Sequence, residues 1–314
     1  MPRAPDRRYL ERIAAETDFT RDTLEKVFRL LELLKAITAA PGIKGKLALK
    51  GGTALQFIHL GLRRLSVDID FNYVGSVDRG AMLDDRKAIG EMMPRIFREF
   101  GYELEEIIDS HAEEQNILLY TNCVGNRDRL KVELNYLERL PVLPIVAEAV
   151  KHPFETIGPV SVPVFQYEEL IAQKTRALIT RATPRDLYDI YLFSSAAKHF
   201  DWNLYRKLTI FYLCLAKDDV RKIDIGKIEA VTRQDIRRHL VPMLRKREYE
   251  VDLSEIRGAC LDIAERIMKF TDSEAEFLDI FYDERKFDQE MLFGAESLTT
   301  DLNKHPGVVW RLQA

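Results

Sequence analysis

Over residues 20–40, Leu24, Val27, Phe28, Leu31 and Leu34 recur at helical spacing, which predicts one long amphipathic helix stopped by Pro41-Gly42. The texture then changes. Leu47-Ala48-Leu49 reads as a short buried strand, and Gly51-Gly52 opens a short helix running to position 59. Residues 67–73 alternate strictly between apolar and polar, the period of a strand with one buried face. A helix over 79–100 precedes three more strand candidates, at 103–108, 116–121 and 129–136. Pro141, Pro144, Pro153, Pro159 and Pro163 punctuate a connecting stretch. From Tyr167 onward the periodicity is helical, beginning with 167–181, 184–197 and 203–217. The pattern predicts an α+β chain: a mixed-sheet N-terminal domain followed by a largely helical C-terminal one.

A length of 314 residues agrees with about two domains. Lys and Arg total 47 against 51 Asp and Glu, a net charge of −4, which excludes a globally basic nucleic-acid coat but permits local basic surfaces. Two such segments occur. Residues 170–185 carry Lys174, Arg176, Arg181 and Arg185 and no acid; residues 233–247 carry six bases against Asp235. Residues 272–290 are the reverse, with eight acids against Arg285 and Lys286, a face suited to a basic protein partner or simply to solvent. Cys123, Cys214 and Cys260 lie far apart without a C-x-x-C pair, so neither a disulfide framework nor a thiolate zinc site is expected and a reducing cytoplasm fits. The N-terminal residues lack the apolar core of a signal peptide, and no apolar run is long enough for a membrane span.

The alternating strand carries the chemistry. Ser66, Asp68, Asp70 and Asn72 share one face, and adjacent like charges there are unfavourable unless a cation sits between them. Hard oxygen ligands favour Mg²⁺ or Mn²⁺. Gly51-Gly52-Thr53, between the preceding strand and a helix, suits a phosphate, because glycines allow close backbone approach and a helix N-terminus offers free N–H groups. Ser66 would sit beside both; its hydroxyl can bond a phosphate or a neighbouring strand, or itself accept a phosphoryl or nucleotidyl group. Lys174 and Arg181, seven apart on one helix, share a face suited to a triphosphate or to plain solvation. Thr183-Pro184-Arg185-Asp186 also reads as a helix cap, which leaves Asp189 unexplained.

This combination resembles the nucleotidyltransferase fold of the polymerase-β superfamily. It is most similar to the AbiEii-type abortive-infection toxins, the nucleotidyltransferase halves of bacterial type IV toxin–antitoxin systems. Four stretches carry the resemblance: Lys50-Gly51-Gly52-Thr53-Ala54-Leu55, then Arg64-Leu65-Ser66-Val67-Asp68-Ile69-Asp70-Phe71, the segment ending in Lys174, and Arg185-Asp186-Leu187-Tyr188-Asp189-Ile190-Tyr191. They span about 50–191, so roughly the first 50 residues and the last 120 match no motif. The resemblance implies Asp68 and Asp70 as metal ligands and a third carboxylate on a later strand. Glu133 is the candidate there, with an ion pair to Lys131 or Arg129 as the alternative. It implies a nucleotide site formed by Gly51, Gly52, Thr53, Arg64, Ser66, Lys174, Arg181, Asp186 and Asp189, with Lys174 also catalytic.

The resemblance further implies an NTP substrate with Mg²⁺ or Mn²⁺, an RNA acceptor with tRNA foremost, growth arrest and abortive infection by phage, and a cognate antitoxin. The domain reading is 1–45 as N-terminal helices packing on the core, 46–165 as the catalytic domain, and 166–314 as a helical domain completing the nucleotide site. The alternatives are a small-molecule nucleotidyltransferase of the antibiotic-modifying kind and a non-catalytic partner-binding protein. A P-loop NTPase is excluded, since no G-x-x-x-x-G-K-[ST] occurs.

Overall fold

The computed structural model describes residues 5–196, 200–294, 298 and 300–313. Two helices open the chain, α1 (Arg7–Thr17) and α2 (Arg21–Ala39), and the Thr20 hydroxyl caps α2 by accepting from the Thr23 amide. The predicted apolar stripe of α2 is fully buried, with Leu24, Val27, Phe28, Leu31 and Leu34 at most 5% exposed. Then come β1 (Leu47–Lys50), α3 (Gly51–Ala54) running into a π-helical turn (Leu55–His59), β2 (Asp68–Tyr73) and α4 (Arg79–Glu99). Strands β3 (Glu103–Asp109), β4 (Glu113–Thr121), β5 (Arg127–Asn135), β6 (Val146–Ala149) and β7 (Ser161–Val164) complete the sheet.

The seven strands lie in the order β3-β4-β5-β2-β1-β7-β6. The pairs β2–β5 and β1–β7 are parallel and the rest antiparallel, so the sheet is mixed. Its centre is β2. Ile69, Phe71 and Tyr73 of β2 and Leu130, Val132 and Leu134 of β5 are buried on one face. Each such side chain contributes about 1.5–3 kcal/mol by leaving water. That burial fixes the register, because a slip of one residue would turn every apolar side chain to the other face. The polar alternates of the same strands are thereby forced together.

The helical part comprises α5 (Tyr167–Arg181), α6 (Pro184–Ala196), α7 (Trp202–Cys214), α8 (Lys227–Ala230), α9 (Arg233–His239), α10 (Leu253–Met268), α11 (Asp272–Asp283), α12 (Gln289–Phe293) and α13 (Pro306–Gln313). Among the described residues no helix is long and apolar enough to cross a membrane. The chain forms two compact units that exchange short segments. The first holds residues 1–139, 145–165 and 242–249; the second holds 140–144, 166–241 and 250–314.

Candidate active site

Parallel pairing of β2 with β5 sets Asp68 opposite Lys131, Asp70 opposite Glu133 and Asn72 opposite Asn135. Asp70 and Glu133 share a hydrogen bond. Burial first, then that bond and the repulsion of Glu133 and Asp68, push the Asp70 carboxyl up to about 7. Burial works against the charge of Glu133 too, but the bond from Asp70 and the ammonium groups of Lys131 and Lys50 hold it below the usual carboxylate range. The Lys131 Nζ lies 2.6 Å from Glu133 Oε1, the ion pair anticipated as the alternative for Glu133. Burial likewise opposes the charge on Lys131, and Asp68, Glu133 and Asp70 outweigh it, so its pKa is raised. Arg129, the other candidate partner, bonds Glu105 instead.

The glycine turn abuts this cluster. Gly51 has φ +71°, and a Cβ there would stand 2.2 Å from Asp70 Oδ2. A Cβ on Gly52 would meet Arg64 Nη2 at 2.7 Å and Ser66 Oγ at 3.1 Å. Glycine is thus favoured at 51 by backbone conformation and close contact together, whereas at 52 a Cβ would make the ends of the Arg64 and Ser66 side chains shift. No side chain caps the helix that follows. The Thr53 hydroxyl donates to the Asp68 main-chain oxygen at 2.5 Å, tying this helix to the start of β2. Arg64 is only 1% exposed, its Nη1 donating to the Leu65 carbonyl at 2.9 Å. Ser66 is also buried. Lys50, in register with Asp70, reaches Glu138 Oε2 at 3.6 Å. Sequence reasoning passed over Glu138, which follows β5 where no periodicity marks it.

Among the described residues, no three His, Cys, Asp or Glu side chains stand together as a finished metal cage. A divalent cation nevertheless suits the residues present. Asp70 and Glu133 meet only by retaining a proton, Asp68 shares their face, and all the donors are hard oxygens. Mg²⁺ characteristically binds one or two carboxylates and completes its shell with water and phosphate.

The remaining predicted residues form a second cluster, on α5 and α6. Lys174 Nζ lies 2.9 Å from Asp186 Oδ1 and 3.1 Å from Asp189 Oδ2, and both carboxylates are fully buried. Arg181, at the end of α5, donates from Nε to Asp186 Oδ2 at 2.8 Å, and the Thr183 hydroxyl donates to the same oxygen at 2.6 Å. Burial disfavours the Asp186 charge, but Lys174, Arg181 and Thr183 hold its pKa far below the usual carboxylate range. The spacing that sequence reading took for a cap is therefore also a buried charge cluster.

A profile of the family described as nucleotidyl transferase AbiEii toxin, type IV toxin–antitoxin system, matches residues 32–266. No curated protein matches the chain. Among solved structures, the fold is similar to that of MenT4, a nucleotidyltransferase toxin from Mycobacterium tuberculosis H37Rv. The TM-score is 0.62 at 19% identity, over 98% of each chain. That likeness is one of fold. The matched family profile covers most of the chain and includes the glycine turn, both strand carboxylates and the α5–α6 cluster, so the chain belongs to the AbiEii nucleotidyltransferase toxin family of type IV toxin–antitoxin systems.

Proposed function

We propose that the protein transfers a nucleoside monophosphate from an NTP to an RNA acceptor, tRNA foremost, arresting growth and aborting phage infection until a cognate antitoxin neutralises it. The observation that carries this reading is the register placing Asp70 opposite Glu133, with Asp68 on the same face and the Gly51-Gly52 turn against Asp70. An acceptor oxygen attacks the α-phosphorus, forming one P–O bond as the bond to pyrophosphate breaks. In this reading Asp68, Asp70 and Glu133 hold Mg²⁺ or Mn²⁺, which supplies charge neutralisation and a more acidic acceptor hydroxyl. Gly51 and Gly52 let the backbone approach the triphosphate, and Thr53 fixes the turn to β2. Arg64 and Ser66 face the same turn as nucleotide contacts. Lys174 and Arg181, ordered by Asp186 and Asp189, are assigned to the nucleotide on the resemblance and on their cationic chemistry.

RNA is favoured over a small acceptor by exposed bases: Arg233, Arg237 and Arg238 on α9, then Lys246 and Arg247. Such groups track a phosphate backbone. The acidic segment is a weaker candidate for a basic antitoxin. Asp279 and Asp283 already bind Arg221, and Glu274 binds Arg206.

The test is incubation with each labelled NTP and Mg²⁺ against tRNA, aminoglycosides and no acceptor in parallel. Label on tRNA supports the proposal; label on an aminoglycoside alone replaces it with the small-molecule reading. Asp68→Ala and Asp70→Ala should each abolish transfer with the fold intact by circular dichroism, because the chemistry rests on electrostatic positioning. Retained transfer in either variant overturns the assignment.

A further inference from the structure

Lys131 has no role in the reading above, yet its ammonium directly contacts one of the three carboxylates. It sits two residues before Glu133 on the same face of β5, and it pairs in register with Asp68. Its ammonium contacts Glu133 at 2.6 Å in a half-buried setting, with side-chain exposures of 33% and 23%. It thus neutralises the carboxylate group that a divalent cation would otherwise neutralise. Lys50, the other nearby ammonium, lies on Glu138 at 3.6 Å.

We propose that Lys131 is an internal competitor for the metal: its ammonium occupies Glu133 and must be displaced before a divalent cation binds there. The inference rests on the reading of Asp68, Asp70 and Glu133 as metal ligands. Two like-signed cations cannot share one carboxylate at contact distance without strong repulsion. A cation arriving alone therefore has to break the Lys131–Glu133 pair, whereas one arriving with a polyphosphate brings anionic oxygens to which a released ammonium can turn. Metal entry is thereby linked to nucleotide entry, and the nucleotide-free protein binds metal weakly. Lys131 acts through Glu133 and is a positioning residue.

The experiment is an electron paramagnetic resonance titration of Mn²⁺ against nucleotide-free full-length protein, so the readout is binding and not activity. Lys131→Met, uncharged and of similar length, should bind Mn²⁺ about tenfold more tightly than the native chain, equivalent to about 1.4 kcal/mol. Lys131→Arg, which keeps the charge and the pair, should stay within about threefold of native. Lys50→Met removes an equal charge from β1, on the far side of β2, and should shift affinity much less than Lys131→Met. Equal gains in Lys131→Met and Lys50→Met would mean that only bulk charge matters, and unchanged or weaker binding in Lys131→Met would show no competition; either overturns the inference.

Asp70→Asn separates this from the parent reading. If Asp70→Asn binds Mn²⁺ as the native chain does, the metal assignment itself fails; if it loses binding while Lys131→Met gains none, only the competition fails. Should Lys131→Met not fold, as judged by circular dichroism in Mn²⁺, Lys131→Gln takes its place with the same expectations.

Discussion

At the scale of single residues, position 51 tests the site most sharply. Gly51 combines φ +71° with an Asp70 oxygen 2.2 Å from where a Cβ would be, so alanine there both strains the backbone and displaces a carboxylate. Gly61 offers the matching control, with φ +69° and nothing within 4 Å. Both alanine variants should lose about 1–2 kcal/mol of stability from the left-handed conformation, read by urea unfolding. Only Gly51→Ala should also lose transfer activity, by a hundredfold or more. Equal activity in the two variants would mean that the turn does not position Asp70. This requirement was half legible in the sequence. A Gly-Gly pair before a helix signals close approach, but nothing in it says that the approaching group is a carboxylate two residues along the neighbouring strand.

At the scale of elements, alternation was the strongest signal. The face shared by Asp68 and Asp70 and the face bearing Lys131 and Glu133 follow from period-two spacing, and burial of Ile69, Phe71, Val132 and Leu134 enforces it. Strands β6 and β7 were not anticipated. Pro163 argued against a strand, since proline cannot donate to a ladder, yet β7 lies inside the sheet between β1 and β6. It is only four residues long and meets β1 through a single register pair, Leu49 with Val164, so few main-chain bonds are at stake. The buried Val162 and Val164 were the available clue.

In the pair α5–α6, Lys174 neutralises two buried carboxylates, which spacing alone did not reveal. Lys174→Met should cost about 3–5 kcal/mol in urea unfolding, because two buried carboxylates would lose the ammonium they share, while Arg181 stays on Asp186. A loss below 1 kcal/mol would show that water reaches the cluster. Asp186, whose pKa is lowered, contributes stability that is fully present above the ordinary carboxylate pKa and is lost as pH falls toward its native value. Between about pH 4.5 and 3, therefore, the native chain should lose stability more steeply than Asp186→Asn, by up to about 1.4 kcal/mol per pH unit. Parallel slopes would count against the cluster.

At the scale of the whole molecule, the order of segments along the chain is not the order of their packing. Residues 242–249 follow α9 in sequence but belong with the sheet-bearing unit. Their anchors are specific. The Met243 carbonyl accepts from the Leu65 amide at 2.8 Å, and the Pro242 carbonyl accepts from the Thr23 hydroxyl at 3.0 Å. The Lys246 amide donates to the Asp18 carbonyl at 2.8 Å, and the Arg245 guanidinium lies over the Phe19 ring. The Leu65 bond matters most for function, because Leu65 stands between Arg64 and Ser66, both of which face the Gly52 turn. No periodicity in 242–249 reports this, since the segment forms two short 3₁₀ turns and its hydrogen bonds to Leu65, Thr23 and Asp18 are made by its main-chain atoms. Native-state hydrogen exchange can read the allegiance directly, because segments that open together lose protection together. In Lys174→Met, which should loosen α5 and α6, peptides over 242–249 should keep the protection of α2 and β2 while those over 184–196 lose theirs. If 242–249 instead opens with α5 and α6, those anchors do not hold it to the sheet-bearing unit, and the Arg64–Ser66 segment lacks the support assigned to it.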